Sequence, residues 1–336
     1  MTHEFKNIVS AYKEAKDVGL TCVMATVVAL EGSSYRRPGV RMMIRVDGAM
    51  TGAVSGGCVE KEILFQAQSV FSTKTPKMMT YDGRFRLGCE GMLYILIEPF
   101  APDAETFSLI QDTFSNRLPF QLKTSYHKTY GDYPNLGTYF SLNGKDHPLH
   151  PKVAPNETTL LFEQDMDPIM RLVIIGGEHD TVKLAGLSAA MGWEVNVSAV
   201  PQEEKTKVDF PGIHEFWSVA PEAFPAERID EQTAVVLMTH SYAKDLKYLL
   251  ALKDRKPFYF GLLGPQRRRE KLFNEFMERH PDVDLDFFDR IHGPAGLHLG
   301  AETPEEIAIS ILAEVLTVMR KTDGQPLRDK TKAIHD

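Results

Sequence analysis

The strongest constraint in this chain is the run Leu172-Val173-Ile174-Ile175, which ends in Gly176-Gly177. Successive apolar, mostly β-branched residues suit a strand buried on both faces, and such strands belong to parallel sheets covered by helices. The glycine pair then turns the chain into a helix over 181–191. The unit recurs, with strands predicted over 193–200, 213–217, 234–238 and 257–263 and helical segments between several of them. Strands alternating with helices close on an open parallel sheet whose carboxyl edge is the place for a ligand. A Pro-started amphipathic helix over 304–320 ends this domain, which spans 168–320, and a polar tail, 321–336, follows.

The first hundred residues read as a mixed α/β domain. Phe5, Ile8, Val9, Tyr12 and Ala15 recur at helical spacing before Gly19. Residues 21–30 are rich in β-branched and apolar types, and 40–46 with 49–54 flank Asp47-Gly48, a strong hairpin signal. A helix over 58–71 carries Glu60 and Glu62 in its first turn, as the helix dipole prefers. Strands follow over 77–81 and 92–98. From 101 to 167 the pattern weakens into an irregular connecting segment with one short helix and short alternating strands.

The 336 residues carry a formal net charge of -8, which argues against nucleic acid or anionic membranes as partners while leaving room for a local basic pocket. No apolar run approaches a membrane span, and the N-terminus enters a charged amphipathic segment rather than a signal region. Three cysteines without a Cys-x-x-Cys pair fit a reduced compartment, so the expected location is cytoplasmic.

Chemistry concentrates at two turns of the first domain. Gly32-Ser33-Ser34-Tyr35-Arg36-Arg37-Pro38-Gly39-Val40-Arg41 is a polar, glycine-bounded turn whose Arg36, Arg37 and Arg41 could clamp an oxyanion, or simply face water. Ser55-Gly56-Gly57-Cys58 places a thiol where a helix begins, and helix-start amides with nearby arginines favour thiolate and bind anions. The bland alternative is a packed cysteine. Cys89 lies in a second glycine-flanked turn, whereas Cys22 sits in a strand and reads as core.

The second domain offers Gly176, Gly177 and His179 at its first turn. A dinucleotide fingerprint wants G-x-G-x-x-G, but Glu178 stands in place of the second glycine, and the following strand ends Val197-Ser198-Ala199-Val200 without a ribose-binding acid at its tip. NAD(P) is therefore not the expected cofactor. His240 and Gly264 end the fourth and fifth strands and face the same edge, and Arg267 opens the next helix, a start able to bind an anion. His240 could act as acid/base or ligand, or make a structural hydrogen bond.

Taken in order, the segments 31–42, 55–60, 87–89, 238–240, 261–264 and 296–307 resemble those of the xanthine dehydrogenase accessory, or XdhC/CoxI, family. The resemblance implies an N-terminal mixed α/β domain plus a C-terminal Rossmann-like parallel sheet domain, usually in a homodimer. It further implies a maturation factor without turnover of its own. Such a factor binds molybdenum cofactor transiently, protects it while a cysteine desulfurase installs its sulfido ligand, and delivers it to a molybdenum hydroxylase apoenzyme. A phosphate and a dithiolene-bound metal match arginines, helix-start amides and soft thiolates. The expected metal contacts are Cys58 and Cys89. The expected cofactor contacts add Arg36, Arg37, Arg41, Ser55, Gly56 and Gly57 from the first half, and Gly176, Gly177, His179, His240, Gly264 and Arg267 from the second. Three motifs depart from the family pattern, at Gly176-Gly177-Glu178-His179, at Glu90 and at Thr239-His240-Ser241-Tyr242, and they move the weight toward the N-terminal residues. The alternatives are a nicotinamide oxidoreductase with His240 as acid/base, or a scaffold that has lost its ligand.

Overall fold

The computed structural model describes residues 1–32, 37–55, 57–83, 91–154, 156 and 158–329. Two compact units divide the chain, Met1–Ile169 and Met170–Asp336.

In the first unit α1 (Thr2–Asp17) leads into β1 (Cys22–Glu31), β2 (Arg41–Arg45), β3 (Met50–Gly52), α2 (Cys58–Thr73), β4 (Lys77–Asp82) and β5 (Met92–Pro99). The hairpin of β2 and β3 turns at Gly48, whose φ of 88° is a left-handed value that glycine adopts without penalty. Residues 101–167, expected as an irregular connection with one short helix and short alternating strands, form α3 (Ala104–Ser115), β6 (Phe120–Tyr126), β7 (Gly131–Asp132), β8 (Thr138–Leu142), β9 (Lys145–Pro148) and β10 (Leu160–Met166). Two sheets result, ordered β3-β2-β1-β5-β4-β7 and β10-β6-β8-β9.

The two faces of β1 explain how these layers stack, because successive side chains of a strand point opposite ways. Val23, Ala25 and Val27 share a core with Ile63, Ala67 and Val70 of α2. Met24, on the other face, joins Met43, Phe120, Leu122 and Phe140, so the second sheet covers the side that α2 does not. Met24 is fully buried, and truncating it to alanine is expected to cost about 2–5 kcal/mol.

The second unit runs β11 (Arg171–Ile175), α4 (His179–Ala190), β12 (Glu194–Ala199), β13 (Glu215–Ser218), β14 (Thr233–Leu237), α5 (Tyr242–Leu252), β15 (Tyr259–Leu262), α6 (Gln266–Arg279), α7 (Asp286–Asp289), β16 (Ile291–His292) and α8 (Pro304–Arg320). Its sheet has the order β13-β12-β11-β14-β15-β16 with every pairing parallel. That is the doubly wound order of a Rossmann domain, with its switch point between β11 and β14. Alternate residues of β11 feed separate cores, Val173 and Ile175 toward α5 and α6, Leu172 and Ile174 toward α4 and α8. Thr303 caps α8, accepting from the Glu306 amide at 3.3 Å, and Pro304 occupies the first turn where its missing N–H costs nothing. Among the described residues no helix is long and apolar enough to cross a membrane.

Candidate functional site

Of the expected N-terminal contacts, Arg36, Gly56 and Cys89 lie outside the described residues, as does the Cys58 side chain. Arg37 is exposed beside the turn. Arg41 is not: it is 5% exposed and points between the sheets. Its Nη1 donates to the Gly39 carbonyl at 2.8 Å and to Gln164 Oε1. Gly39, with φ of 98°, lets the Gln164 amide lie against it, since a Cβ there would fall 2.4 Å from Gln164 Nε2. Arg41 therefore holds the end of the arginine-bearing turn from within.

A buried polar seam continues from Arg41. Glu98, fully buried on β5, accepts from the Thr138 amide at 2.8 Å and from the Thr138 hydroxyl. Burial pushes the Glu98 carboxyl up to about 7 against those bonds and the Arg41 charge. Burial also lowers Arg41 to about 10, with Glu98 opposing. His150 is pushed down to about 4 by burial, so the imidazole is neutral, bonds the Leu136 carbonyl at 3.1 Å, and forms no ion pair with Glu98 across 3.6 Å. Cys22 is core as expected, its thiol pushed up to about 11 chiefly by burial.

At the Ser-Gly-Gly turn, α2 begins at Cys58 behind Gly57, whose φ of 119° makes the turn. Cys58 thus stands in the first turn of a helix, as its sequence context predicts. The amides it was expected to share with an anion have a partner already. Glu60 Oε1 accepts from the Val54 amide at 3.1 Å and the Ser55 amide at 2.6 Å, and Oε2 from the Ser55 hydroxyl at 2.7 Å and the Gly57 amide at 2.9 Å. Burial opposes the charge of Glu60, but these donors outweigh it and hold the carboxyl below its usual range.

The second unit brings its expected residues to one sheet edge. Gly176 donates to the Ser198 carbonyl at 2.8 Å, and a Cβ on it would meet the Met238 carbonyl oxygen at 2.5 Å, so only glycine fits between β12 and β14. His179 is the exposed first residue of α4. His240 has φ of 54° and sets Nε2 3.3 Å from Asp180 Oδ2. Gly264, with φ of 115°, lies under the Arg268 stem. Arg267 is exposed, whereas Arg269 donates to the Gly293 carbonyl and Arg268 donates to buried Asp245 at 2.6 Å while Thr239 bonds the other Asp245 oxygen at 2.6 Å.

Sequence reasoning missed one acid here. Glu203, just beyond the tip of β12, folds back so that Oε2 lies 2.2 Å from where a Cβ on Gly177 would be. Glu98, Gln164 and Asp245 were also missed. Only Glu98 left a signal, as a lone charge in an apolar strand. Among the described residues no group of three or more His, Cys, Asp or Glu is placed to hold a metal.

Comparison with known proteins follows the same two-part division. Residues 172–315 match the family model of the XdhC Rossmann domain, and residues 15–82 that of the XdhC and CoxI family. The chain belongs to the XdhC and CoxI family. A solved structure from Bacillus halodurans, described as a xanthine dehydrogenase, is similar to this XdhC and CoxI family member with a TM-score of 0.74 and 25% identity, covering 97% of this chain and 98% of that one. A probable xanthine dehydrogenase subunit of Bacillus subtilis (strain 168) is 27% identical over 322 residues, 89% of this chain and 93% of the relative. The molybdenum cofactor insertion chaperone PaoD of Escherichia coli (strain K12) is 27% identical over 331 residues, 95% of this chain and 90% of PaoD.

Proposed function

We propose that this protein is a maturation factor that carries molybdenum cofactor as cargo and hands it to a molybdenum hydroxylase apoenzyme. The likeness to PaoD along nearly the whole of both chains supports a role of that class. The observation that carries the N-terminal assignment is the start of α2 at Cys58, directly behind the amide-lined turn of Ser55 and Gly57. A thiol in the first turn of a helix is favoured as thiolate by the dipole, and thiolate is the soft ligand a molybdenum centre takes. Arg37 stands exposed at the neighbouring turn as a fork for the pterin phosphate, with Arg41 fixing that turn. Cys89 is the second proposed metal contact. A cysteine desulfurase is the proposed second partner and a homodimer the proposed assembly.

The test is anaerobic gel filtration of the protein mixed with released cofactor, reading molybdenum retained per chain. Wild type is expected to retain it, and Cys58→Ala and Cys89→Ala to retain at least about tenfold less, as for loss of a metal ligand. No retention by wild type, or retention by both variants equal to that of wild type, overturns the reading. Activation of an apo-hydroxylase by the loaded protein, with and without desulfurase, then tests delivery.

A further inference from the structure

The carboxyl edge of the parallel sheet is crossed by an ion pair. Glu203 follows β12 and Lys244 opens the first turn of α5 after β14, and Lys244 Nζ donates to Glu203 Oε1 at 2.6 Å. β11 lies between those two strands, so the pair reaches over the end of β11 at the point where the strand order reverses. Doubly wound sheets take their ligands in this crevice, with anionic groups against the glycine turn and the helix start behind it. Here the glycine turn is covered, because the space above Gly177 holds Glu203 Oε2 together with the Ala199 methyl and the Lys205 stem.

Two observations make this cover a removable one. Glu203 Oε2 is buried yet accepts no hydrogen bond among the described residues, so half of the carboxylate has lost water without gaining a donor. The remaining polar contact is one ion pair at 2.6 Å whose side chains are 17% and 32% exposed, so Lys244 is within reach of solvent and of an incoming anion. Beneath it, α4 starts at His179 with no side-chain cap from Glu178, and of its first-turn amides that of Thr181 bonds the Glu178 carbonyl at 3.1 Å. The charged groups at the seat include Lys244, Glu203, Lys205 and the Asp180–His240 pair.

We propose that Glu203 and Lys244 form a strap across an anion seat, in which the Glu203 carboxylate holds the place of a phosphate, and that a pyrophosphate-bearing ligand enters by displacing Glu203 and taking over Lys244. The ligand class rests on the reading that this chain handles a phosphate-bearing cofactor.

The experiment is calorimetric titration of the full chain with inorganic pyrophosphate at low ionic strength. Glu203→Ser, which removes the charge and the carboxylate oxygen lying against Gly177, is expected to bind at least about tenfold more tightly than wild type, the scale set by removing a buried like charge facing the ligand. Glu203→Gln, which removes the charge and keeps the bulk, falls between the two. Adding Lys244→Ala to Glu203→Ser is expected to abolish the gain. The strap is overturned if Glu203→Ser and Glu203→Gln bind no better than wild type, or if the gain survives without Lys244. Trp193 and Trp217 both lie in this unit, so their fluorescence reports whether each variant is folded. Inorganic pyrophosphate offers Cys58 no metal, and Cys58→Ala leaves Glu203 and Lys244 in place, so the two experiments fail separately.

Discussion

Replacing Glu98 by glutamine removes one titration from the interior of the first unit and leaves the shape of the side chain unchanged. Glu98 moves from an ordinary value of 4.5 to about 7, because burial penalises its charge more than Thr138 and Arg41 favour it. A carboxyl raised in the folded state stabilises below its unfolded value and loses that contribution as pH climbs through the folded value. The loss therefore falls between about pH 4.5 and pH 7. At 1.36 kcal/mol per pH unit the ceiling is about 3 kcal/mol, and relaxation around a buried charge brings the expectation to about 1–3 kcal/mol.

Glutamine imitates the protonated form: its carbonyl can accept from the Thr138 amide, while its amide group donates to the Thr138 hydroxyl, which turns toward Thr124 at 3.0 Å. The variant should match wild type near pH 5 and exceed it near pH 8. For a unit of this size, a difference of about 2 kcal/mol raises the midpoint by about 4–8 °C. His150 is present in both proteins and cancels in the comparison. Scanning calorimetry at pH 5, 6, 7 and 8 reads the effect. Both tryptophans belong to the second unit, so the transition silent in tryptophan fluorescence is the one to follow. Parallel pH profiles for wild type and Glu98→Gln, or a wild type that gains relative to the variant toward pH 8, would refute the reasoning.

Glu60→Ala strips the acceptor from the Val54, Ser55 and Gly57 amides, with an expected cost of about 1–3 kcal/mol. Hydrogen exchange at those amides should accelerate, and because Glu60 is held low, the advantage of wild type should shrink as pH falls below 4.5. Gly39→Ala forces a methyl group onto Gln164 at a left-handed φ and should cost about 1–3 kcal/mol, measured by urea unfolding followed by circular dichroism. Asp245→Ala leaves Arg268 and Thr239 without their acceptor and is expected to cost about 2–4 kcal/mol, read by tryptophan fluorescence in urea.

The parts of the fold that were legible beforehand are those held by local pattern. Residues 5, 8, 9, 12 and 15 are the buried face of α1, the Asp47-Gly48 hairpin forms, and the apolar runs of the second unit each hold a strand of the parallel sheet, with ends displaced by up to two residues. β10 escaped because it is an edge strand with most of its residues exposed or half-exposed, so its hydrophobic alternation is faint. Its partner β6 also lies far away along the chain. Arg41 looked like a ligand-binding arginine because nothing near it in sequence announces Gln164, which lies 123 positions away. Glu203 was overlooked for a similar reason: the tip of the strand carries no acid, and only the turn beyond it brings one back to Gly177.

Under the proposed role, Glu60 bears on how the chain tells a cargo from the ordinary salts around it. Inorganic phosphate or sulfate drifting to the turn before Cys58 finds the Val54, Ser55 and Gly57 amides engaged by a rival that never diffuses away, since Glu60 is tethered to the same short stretch of chain. A tethered competitor acts at a high effective concentration, so a lone oxyanion is outcompeted. In the proposed role, entry at that turn is reserved for a guest with additional points of attachment, enough to dislodge a neighbour that is already home.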